Sequence, residues 1–169
     1  MNTSIKLYSF GYTELKTYLF ALLFAAGNLL LPQLCHFVPN GGHTLLPIFF
    51  FTLIAAYKFG IRVGLLTAVL SPVLNHLLFS MPGTEMLPVI LVKSGLLAIA
   101  GAATAKYAKK ISVLALVCIV LAYQLVGTVI SGAFITGFSM AFEQFRMGIP
   151  GMFIQVIGGY FLLKMISKY

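Results

Sequence analysis

Six apolar runs separated by short polar breaks constrain this chain more than any other feature of its sequence. They cover approximately residues 17–36, 44–57, 63–79, 87–105, 111–136 and 149–166. A transmembrane helix needs about 20 mostly apolar residues, and the second and third runs are short by that measure. Because 60% of the residues are hydrophobic and 8% are charged, a soluble fold of this size could not bury so much apolar surface. We therefore predict an all-α fold class, a single domain formed by a bundle of six transmembrane helices.

The basic residues lie mainly on one side of the membrane that these runs are predicted to cross. If the amino-terminal side is cytoplasmic, Arg146 alone lies in an external loop and Lys93 lies inside the fourth helix. The positive-inside rule then predicts that both termini are cytoplasmic, in a multi-pass protein of the cytoplasmic (inner) membrane. The same topology explains the net charge of +8 without a nucleic-acid partner. Nine of the eleven Lys and Arg residues lie on the cytoplasmic side: Lys6, Lys16, Lys58, Arg62, Lys106, Lys109, Lys110, Lys164 and Lys168.

Lys93 is the most informative residue for function, because it is an ionisable group within an apolar run, in the sequence Leu91-Val92-Lys93-Ser94-Gly95. An ammonium group at that depth costs several kcal/mol, of order 2–4, unless it is paired or hydrated. One interpretation is that Lys93 anchors an anionic or strongly polar ligand. The alternative is a lysine whose long side chain reaches the external headgroups.

Other polar residues fall on the external halves of the predicted helices. Asn75 and His76 follow Pro72 in the third helix, where proline frees a backbone carbonyl that suits the wall of a site. Gln124 and Gln155 lie in the fifth and sixth helices, and each needs a hydrogen-bond partner in lipid. All four are candidate ligand-binding residues. For Asn75 the alternative is a hydrogen bond to a neighbouring helix, and His76 alone has an interfacial alternative.

Glu143 and Arg146 lie three residues apart in the predicted external loop before the last helix. They are candidates for an ion pair on a short helical turn or for residues that gate a site, and the alternative is a solvated loop pair. We expect no metal site, because Cys35, His36 and His43 lack the three or four ligands that one requires. We also expect no cofactor.

Catalysis is not expected from this sequence, which contains no nucleophile–base pair and no phosphate-binding glycine loop. Autonomous secondary transport is disfavoured because no carboxylate lies within an apolar run. A different signal comes from Ala21 and Ala25, two small residues one turn apart on one face of the first helix. Such a face permits close approach of another helix. The candidates are a docking face for a separate membrane protein and packing within the bundle.

Nearly the whole chain resembles the substrate-binding S-components of energy-coupling factor (ECF) vitamin transporters. The resemblance is carried by an ordered series of motifs rather than by any one of them. In chain order these are Ala21-xxx-Ala25, LPQLCH at 31–36 leading to Gly41-Gly42, LLPI at 45–48, KFGIRVGLL at 58–66, Ser71-Pro72 and SMP at 80–82.

The resemblance implies a six-helix bundle that binds a micronutrient on its external side, among helices four to six and the external loops. It also implies docking on a transmembrane coupling protein through the face that contains Ala21 and Ala25. Two cytoplasmic ATPases would power release, so the S-component itself would not be an enzyme. Substrate identity does not follow from the resemblance. Lys93 and Arg146 favour a ligand with a carboxylate or phosphate, such as pantothenate. The alternatives are a structural or assembly membrane protein without a small ligand, and a small autonomous carrier.

Overall fold

The computed structural model describes residues 3–4, 6–35 and 41–167, and this part of the chain is almost entirely helical. The longer helices are joined by short connections, and two strands of two residues each pair in antiparallel orientation. In chain order the elements are β1 (Thr3–Ser4), α1 (Leu15–Cys35), α2 (Gly41–Leu45), a 3-10 turn (Pro47–Phe49), α3 (Phe50–Phe79), α4 (Leu87–Ala108), β2 (Lys110–Ile111), α5 (Val113–Phe134), α6 (Phe138–Met147) and α7 (Ile149–Met165).

Within the described residues, four helical segments are long and apolar enough to cross a membrane. They are Leu15–Cys35, Pro47–Phe79, Leu87–Ala108 and Val113–Phe134. The pair α6 and α7, which meets at a bend of 47°, would make a fifth span. The prediction of an all-α, multi-pass membrane protein is therefore confirmed.

The α3 helix is a hairpin of two arms rather than one straight rod. Its backbone leaves the helical conformation at Gly60, which divides it into residues 50–59 and 61–79. In a straight helix, Ala56 and Gly64 would be separated by about 12 Å along the axis. In the structure, a Cβ atom added to Gly64 would lie 2.6 Å from the Cβ of Ala56. The two arms therefore fold back on each other. Counted separately, they bring the apolar helical segments of the bundle to six, and each predicted span overlaps one of them.

The hairpin depends on small residues at two places. Gly60 has φ 87° and ψ 179°, a conformation essentially restricted to glycine, and a Cβ there would lie 3.2 Å from the carbonyl oxygen of Tyr8. Gly64 lets the second arm lie directly on the backbone of Ala56 in the first arm. The α4 helix then packs across the pair, and a Cβ on Gly101 would lie 3.3 Å from the Cβ of Ala56.

The first and last described segments lie at the same end of the bundle. The amide of Lys6 donates to the carbonyl of Ser167 at 3.3 Å, and the amide of Tyr8 donates to the carbonyl of Lys58 at 2.9 Å. The Arg62 guanidinium donates to the carbonyl of Phe10 at 2.7 Å. We call this the basic end. It contains the described Lys and Arg residues that the sequence assigns to the cytoplasm: Lys6, Lys16, Lys58, Arg62, Lys106, Lys109, Lys110 and Lys164.

Two elements differ in detail from the simplest reading of the sequence. The predicted external loop before the last helix contains a ten-residue helix, α6, bounded by Gly137 and Gly148. Ala21 and Ala25 are both completely buried, and Ala21 belongs to the hydrophobic core. Because α1 turns this face towards α3, the small residues serve packing within the bundle. In this structure they do not form an accessible docking surface.

Candidate functional site

Lys93 lies in the second turn of α4, and only 5% of its surface is exposed. Its aliphatic stem packs on Gly127 of α5, where an added Cβ would lie 2.6 Å from the Lys93 Cγ. Glycine at position 127 is therefore what makes room for the lysine between the two helices. Among the residues that the structure describes, none forms a hydrogen bond or ion pair with the ammonium group. The Lys93 side chain is thus largely buried, and no counter-charge lies within reach of it in the described part of the bundle.

A cavity of about 60 Å³ lies beside Lys93, at the end of the bundle opposite the basic end. The start of α4, the 3-10 turn and α6 enclose it, and α6 contributes Gln144. The Gln144 Nε2 donates to the Met86 sulfur at 3.2 Å, so α6 is held against the start of α4. The lining residues are Leu46, Ile48, Phe49, Met86, Val89, Ile90, Lys93 and Gln144.

A directional chain of hydrogen bonds crosses the bundle between α7 and α5. The Gln155 Nε2 donates to the carbonyl of Leu46 in a long contact of 3.5 Å, and the Tyr123 hydroxyl donates to Gln155 Oε1 at 2.9 Å. The Gln124 Nε2 donates to the Tyr123 oxygen at 3.2 Å. The Leu46 carbonyl can only accept a hydrogen bond, and the Tyr123 hydroxyl has one proton to donate. Together they determine which way the side-chain amides of Gln155 and Gln124 are oriented. The chain ends at Gln124 Oε1, a buried acceptor without a partner.

The helices α4 and α5 contain further unsatisfied oxygens. Ser94 Oγ and Thr128 Oγ1 are buried without a hydrogen-bond partner, like Gln124 Oε1. Gln124 precedes Gly127 by three residues, so it lies one helical turn from the residue on which Lys93 packs. Buried polar atoms are normally paired, and each orphan calls for a specific explanation. Lys93 and the nearby Gln124 Oε1 offer one cation and one free acceptor, which together suit a small anion that also carries a hydrogen-bond donor.

Asn75 and His76 lie elsewhere, and neither lines the Lys93 cavity. The Asn75 Nδ2 donates to the carbonyls of Asn28, at 3.0 Å, and of Ser71, at 3.1 Å. The His76 Nδ1 lies 2.7 Å from the carbonyl oxygen of Pro82, in the connection to α4. Asn75 therefore contributes to the packing of α1 against the α3 hairpin, as its alternative interpretation supposed.

Asn28 is the centre of that packing network and is completely buried. Its Nδ2 donates to Thr52 Oγ1 at 3.0 Å and to Ser71 Oγ at 2.9 Å, which belong to different arms of α3. Its Oδ1 accepts the amide proton of Phe51 at 3.0 Å. One side chain thus joins α1 to both arms of the hairpin.

Glu143 and Arg146 are exposed on α6, and neither lines the cavity. No ion pair joins them. The residue that the sequence analysis missed is Gln144, which lies between them and faces inward. The signal that could have found it is helical spacing, because Ala141, Gln144 and Gly148 recur at three- and four-residue intervals on one face. Ala141 is indeed buried, with 1% of its surface exposed.

The described residues contain no group of three or more His, Cys, Asp or Glu side chains that could hold a metal ion. The candidate site is formed by Lys93 and Gln144, which line the cavity, and by the neighbouring hydrogen-bonded chain of Gln124, Tyr123 and Gln155, which does not line it. Comparisons with protein-family models, with curated proteins and with solved structures found no match for this chain.

Proposed function

We propose that this protein is the substrate-capture subunit of an ECF-type, ATP-driven importer, and that it binds a small anionic micronutrient beside Lys93. The observation that carries the proposal is Lys93, a largely buried lysine that lines the cavity and has no hydrogen-bond or ion-pair partner among the described residues. A coupling protein in the membrane and two cytoplasmic ATPases would complete the transporter, and this subunit would hydrolyse nothing. The basic end would face the cytoplasm by the positive-inside rule, so the Lys93 cavity would open to the outside.

The energetic argument starts from the cost of the charge. A lysine in the membrane interior costs about 2.5–3.5 kcal/mol on insertion scales. In the structure no carboxylate offsets that cost, since the described acids Glu14, Glu85 and Glu143 lie at the ends of the bundle. A ligand carboxylate or phosphate would supply the missing counter-charge. A ligand hydroxyl or amide group would supply the donor that Gln124 Oε1 lacks.

The proposal requires the cavity to enlarge when a ligand binds. Pockets for small molecules typically enclose about 300–1,000 Å³. The cavity beside Lys93 is about 60 Å³, room for a few water molecules rather than a vitamin precursor. Entry of a ligand would therefore require α6 to move away from the start of α4. Glycines bound α6 on both sides, and Gly137 has a φ of 80°.

The same features weigh against the two alternatives. A purely structural membrane protein gains nothing from an unpaired buried lysine, since an apolar residue of the same volume would be cheaper. An autonomous carrier driven by protons normally uses an intramembrane carboxylate, and the described spans contain none. Pantothenate, a hydroxylated carboxylate with an amide group, is an example of the proposed ligand class.

The test is to identify a small molecule that stays bound through purification. We would purify the full chain from its membrane in mild detergent and analyse the released molecules by mass spectrometry. We expect an anionic compound of vitamin size at near-stoichiometric occupancy. Lys93→Met should reduce its occupancy at least tenfold, because the apolar side chain fills the same space without the charge.

Lys106→Met is the matched control, because Lys106 is an exposed lysine in the same helix but at the basic end. It should leave occupancy unchanged. Equal occupancy in Lys93→Met and wild type would contradict the assignment of the site. Co-purification with a membrane coupling protein and two ATPases tests the transporter assignment separately. If the ligand is retained and these partners are absent, the importer proposal fails while the binding site stands.

A further inference from the structure

A second feature of the bundle lies far from the Lys93 cavity. A groove of about 740 Å³ runs between α1 and α7 and opens onto the lipid-facing surface. We call it the α1–α7 groove. Its walls include Leu19 and Leu23 of α1 and Leu162 and Ile166 of α7, its floor includes Ile54 of α3, and Lys16 lies at its mouth. The groove is continuous with the basic end.

The floor of the groove is built from stacked aromatic rings. The ring centroids of Phe20 and Phe59 lie 4.4 Å apart, and those of Phe24 and Phe59 lie 5.3 Å apart. Phe10 continues the stack from the amino-terminal segment, 5.6 Å from Phe20. Rings in such contact are fixed by one another as well as by the helices. The groove is therefore formed before anything occupies it.

Positive charge surrounds the mouth of the groove. Lys16 is exposed there, whereas Lys58 is buried in the floor and donates its ammonium proton to the carbonyl of Ile166. The Lys6 ammonium lies 5.3 Å from the ring centroid of Tyr8, which also borders the groove. Among the described residues that line it, none is acidic. An anionic group at the mouth would meet Lys16, with no acidic residue in the described lining.

The depth of the groove distinguishes a lipid from a partner helix. From Lys16 to Phe24 it follows eight residues of α1, a rise of about 12 Å. One leaflet of the hydrocarbon core is about 15 Å deep, half of the full thickness. A spanning helix would need contact over the whole thickness, and it would favour small residues on the opposing face. The α1 wall instead presents two leucines, with Leu19 exposed by 56% and Leu23 by 62%.

We infer that the α1–α7 groove binds one anionic phospholipid of the cytoplasmic leaflet. One acyl chain would lie along the aromatic floor, and the phosphate would lie at the mouth beside Lys16. Basic pockets between transmembrane helices at the cytoplasmic face are suited to such headgroups. This inference uses the orientation given by the basic end and does not depend on the Lys93 site.

Native mass spectrometry of the purified full chain would test the inference. We would add dioleoyl phosphatidylglycerol or dioleoyl phosphatidylcholine at equal mole ratios and compare the bound fractions. We expect phosphatidylglycerol to be retained preferentially. Lys16→Gln should weaken the retention of phosphatidylglycerol about fivefold, because one lysine near an anionic headgroup contributes about that factor to binding. Lys106→Gln is the control at the same end of the bundle, and it should change nothing.

The chain-binding part has its own pair of variants. Leu23→Trp fills the groove and should reduce retention of both lipids, while Leu114→Trp, on an exposed position of α5, should not. Equal retention of the two lipids by the wild type, or equal effects of Lys16→Gln and Lys106→Gln, would overturn the inference. So would a Leu23→Cys disulfide between two chains in a Cys35→Ala, Cys118→Ala background, which would assign the groove to a second copy.

Discussion

Gly64→Ala should force apart the two arms of the α3 hairpin. An added Cβ would lie 2.6 Å from the Cβ of Ala56, 2.8 Å from its Cα and 3.3 Å from its amide nitrogen. Two of these three atoms belong to the backbone, so rotation of a side chain cannot relieve the contact. Carbon atoms in ordinary contact are about 3.5–4.0 Å apart, which requires the arms to separate by roughly 1 Å.

The expected loss is the difference between two opposing effects. Overpacking of a tight interior costs roughly 1–3 kcal/mol, and a clash with backbone belongs to the upper part of that range. Replacement of glycine by alanine inside a helix gains about 0.5–1 kcal/mol, because the unfolded chain loses conformational freedom. We therefore expect Gly64→Ala to lower the free energy of unfolding by about 2 kcal/mol.

The assay is reversible unfolding in mixed micelles of SDS and a mild detergent, followed by far-ultraviolet circular dichroism. Gly95→Ala is the matched control, since Gly95 is helical and an added Cβ would meet nothing within 4 Å. That variant should be neutral or stabilised by up to about 1 kcal/mol. The double variant Ala56→Gly, Gly64→Ala should lose less than the sum of the single changes, because it removes the closest of the three contacts.

A straight α3 helix makes the opposite prediction. With about 12 Å of helix between the two residues, they would not touch, and Gly64→Ala would behave like Gly95→Ala. A Gly64→Ala protein as stable as the wild type would therefore refute the hairpin, whatever the far-ultraviolet spectrum showed. Additive single and double variants would lead to the same conclusion.

Three further changes test other contacts, each by thermal unfolding in detergent. Gly60→Ala should cost about 1–3 kcal/mol, because alanine resists the backbone angles there and meets the Tyr8 carbonyl; an unchanged midpoint would contradict the kink. Asn28→Leu should cost about 3 kcal/mol through three lost hydrogen bonds and an unpaired Phe51 amide, and a neutral result would remove Asn28 from the network. Tyr123→Phe should cost about 1–3 kcal/mol, because Gln155 Oε1 and Gln124 Nε2 lose their partner, and an unchanged midpoint would contradict the hydrogen-bonded chain.

The sequence predicted those features that depend on residues close together in the chain. The turn between the second and third runs is visible as Lys58-Phe59-Gly60-Ile61-Arg62, because glycine between two charged residues interrupts an apolar pattern. The burial of Lys93 within an apolar run was equally apparent. Both features are properties of a short window of sequence, and the structure keeps the kink and the buried lysine where that window places them.

The errors concern contacts between distant parts of the chain. A small-residue face such as Ala21 and Ala25 allows close packing but does not specify the partner, which is α3 in the same bundle. The polar residues of α6 suggested a loop, although the same segment has helical spacing on its inward face. The chain of hydrogen bonds through Tyr123 depends on a backbone carbonyl of Leu46, more than seventy positions earlier, and no local pattern encodes it.

The closure of the basic end has a consequence for the order in which the protein is made. The strand at Thr3–Ser4 pairs with Lys110–Ile111, and the amide of Lys6 bonds to the carbonyl of Ser167. Residues 3–6 leave the ribosome long before these partners do. They must wait on the membrane surface while the helices insert one after another. This segment is thus among the last to reach its final position, although it precedes all the helices in the chain.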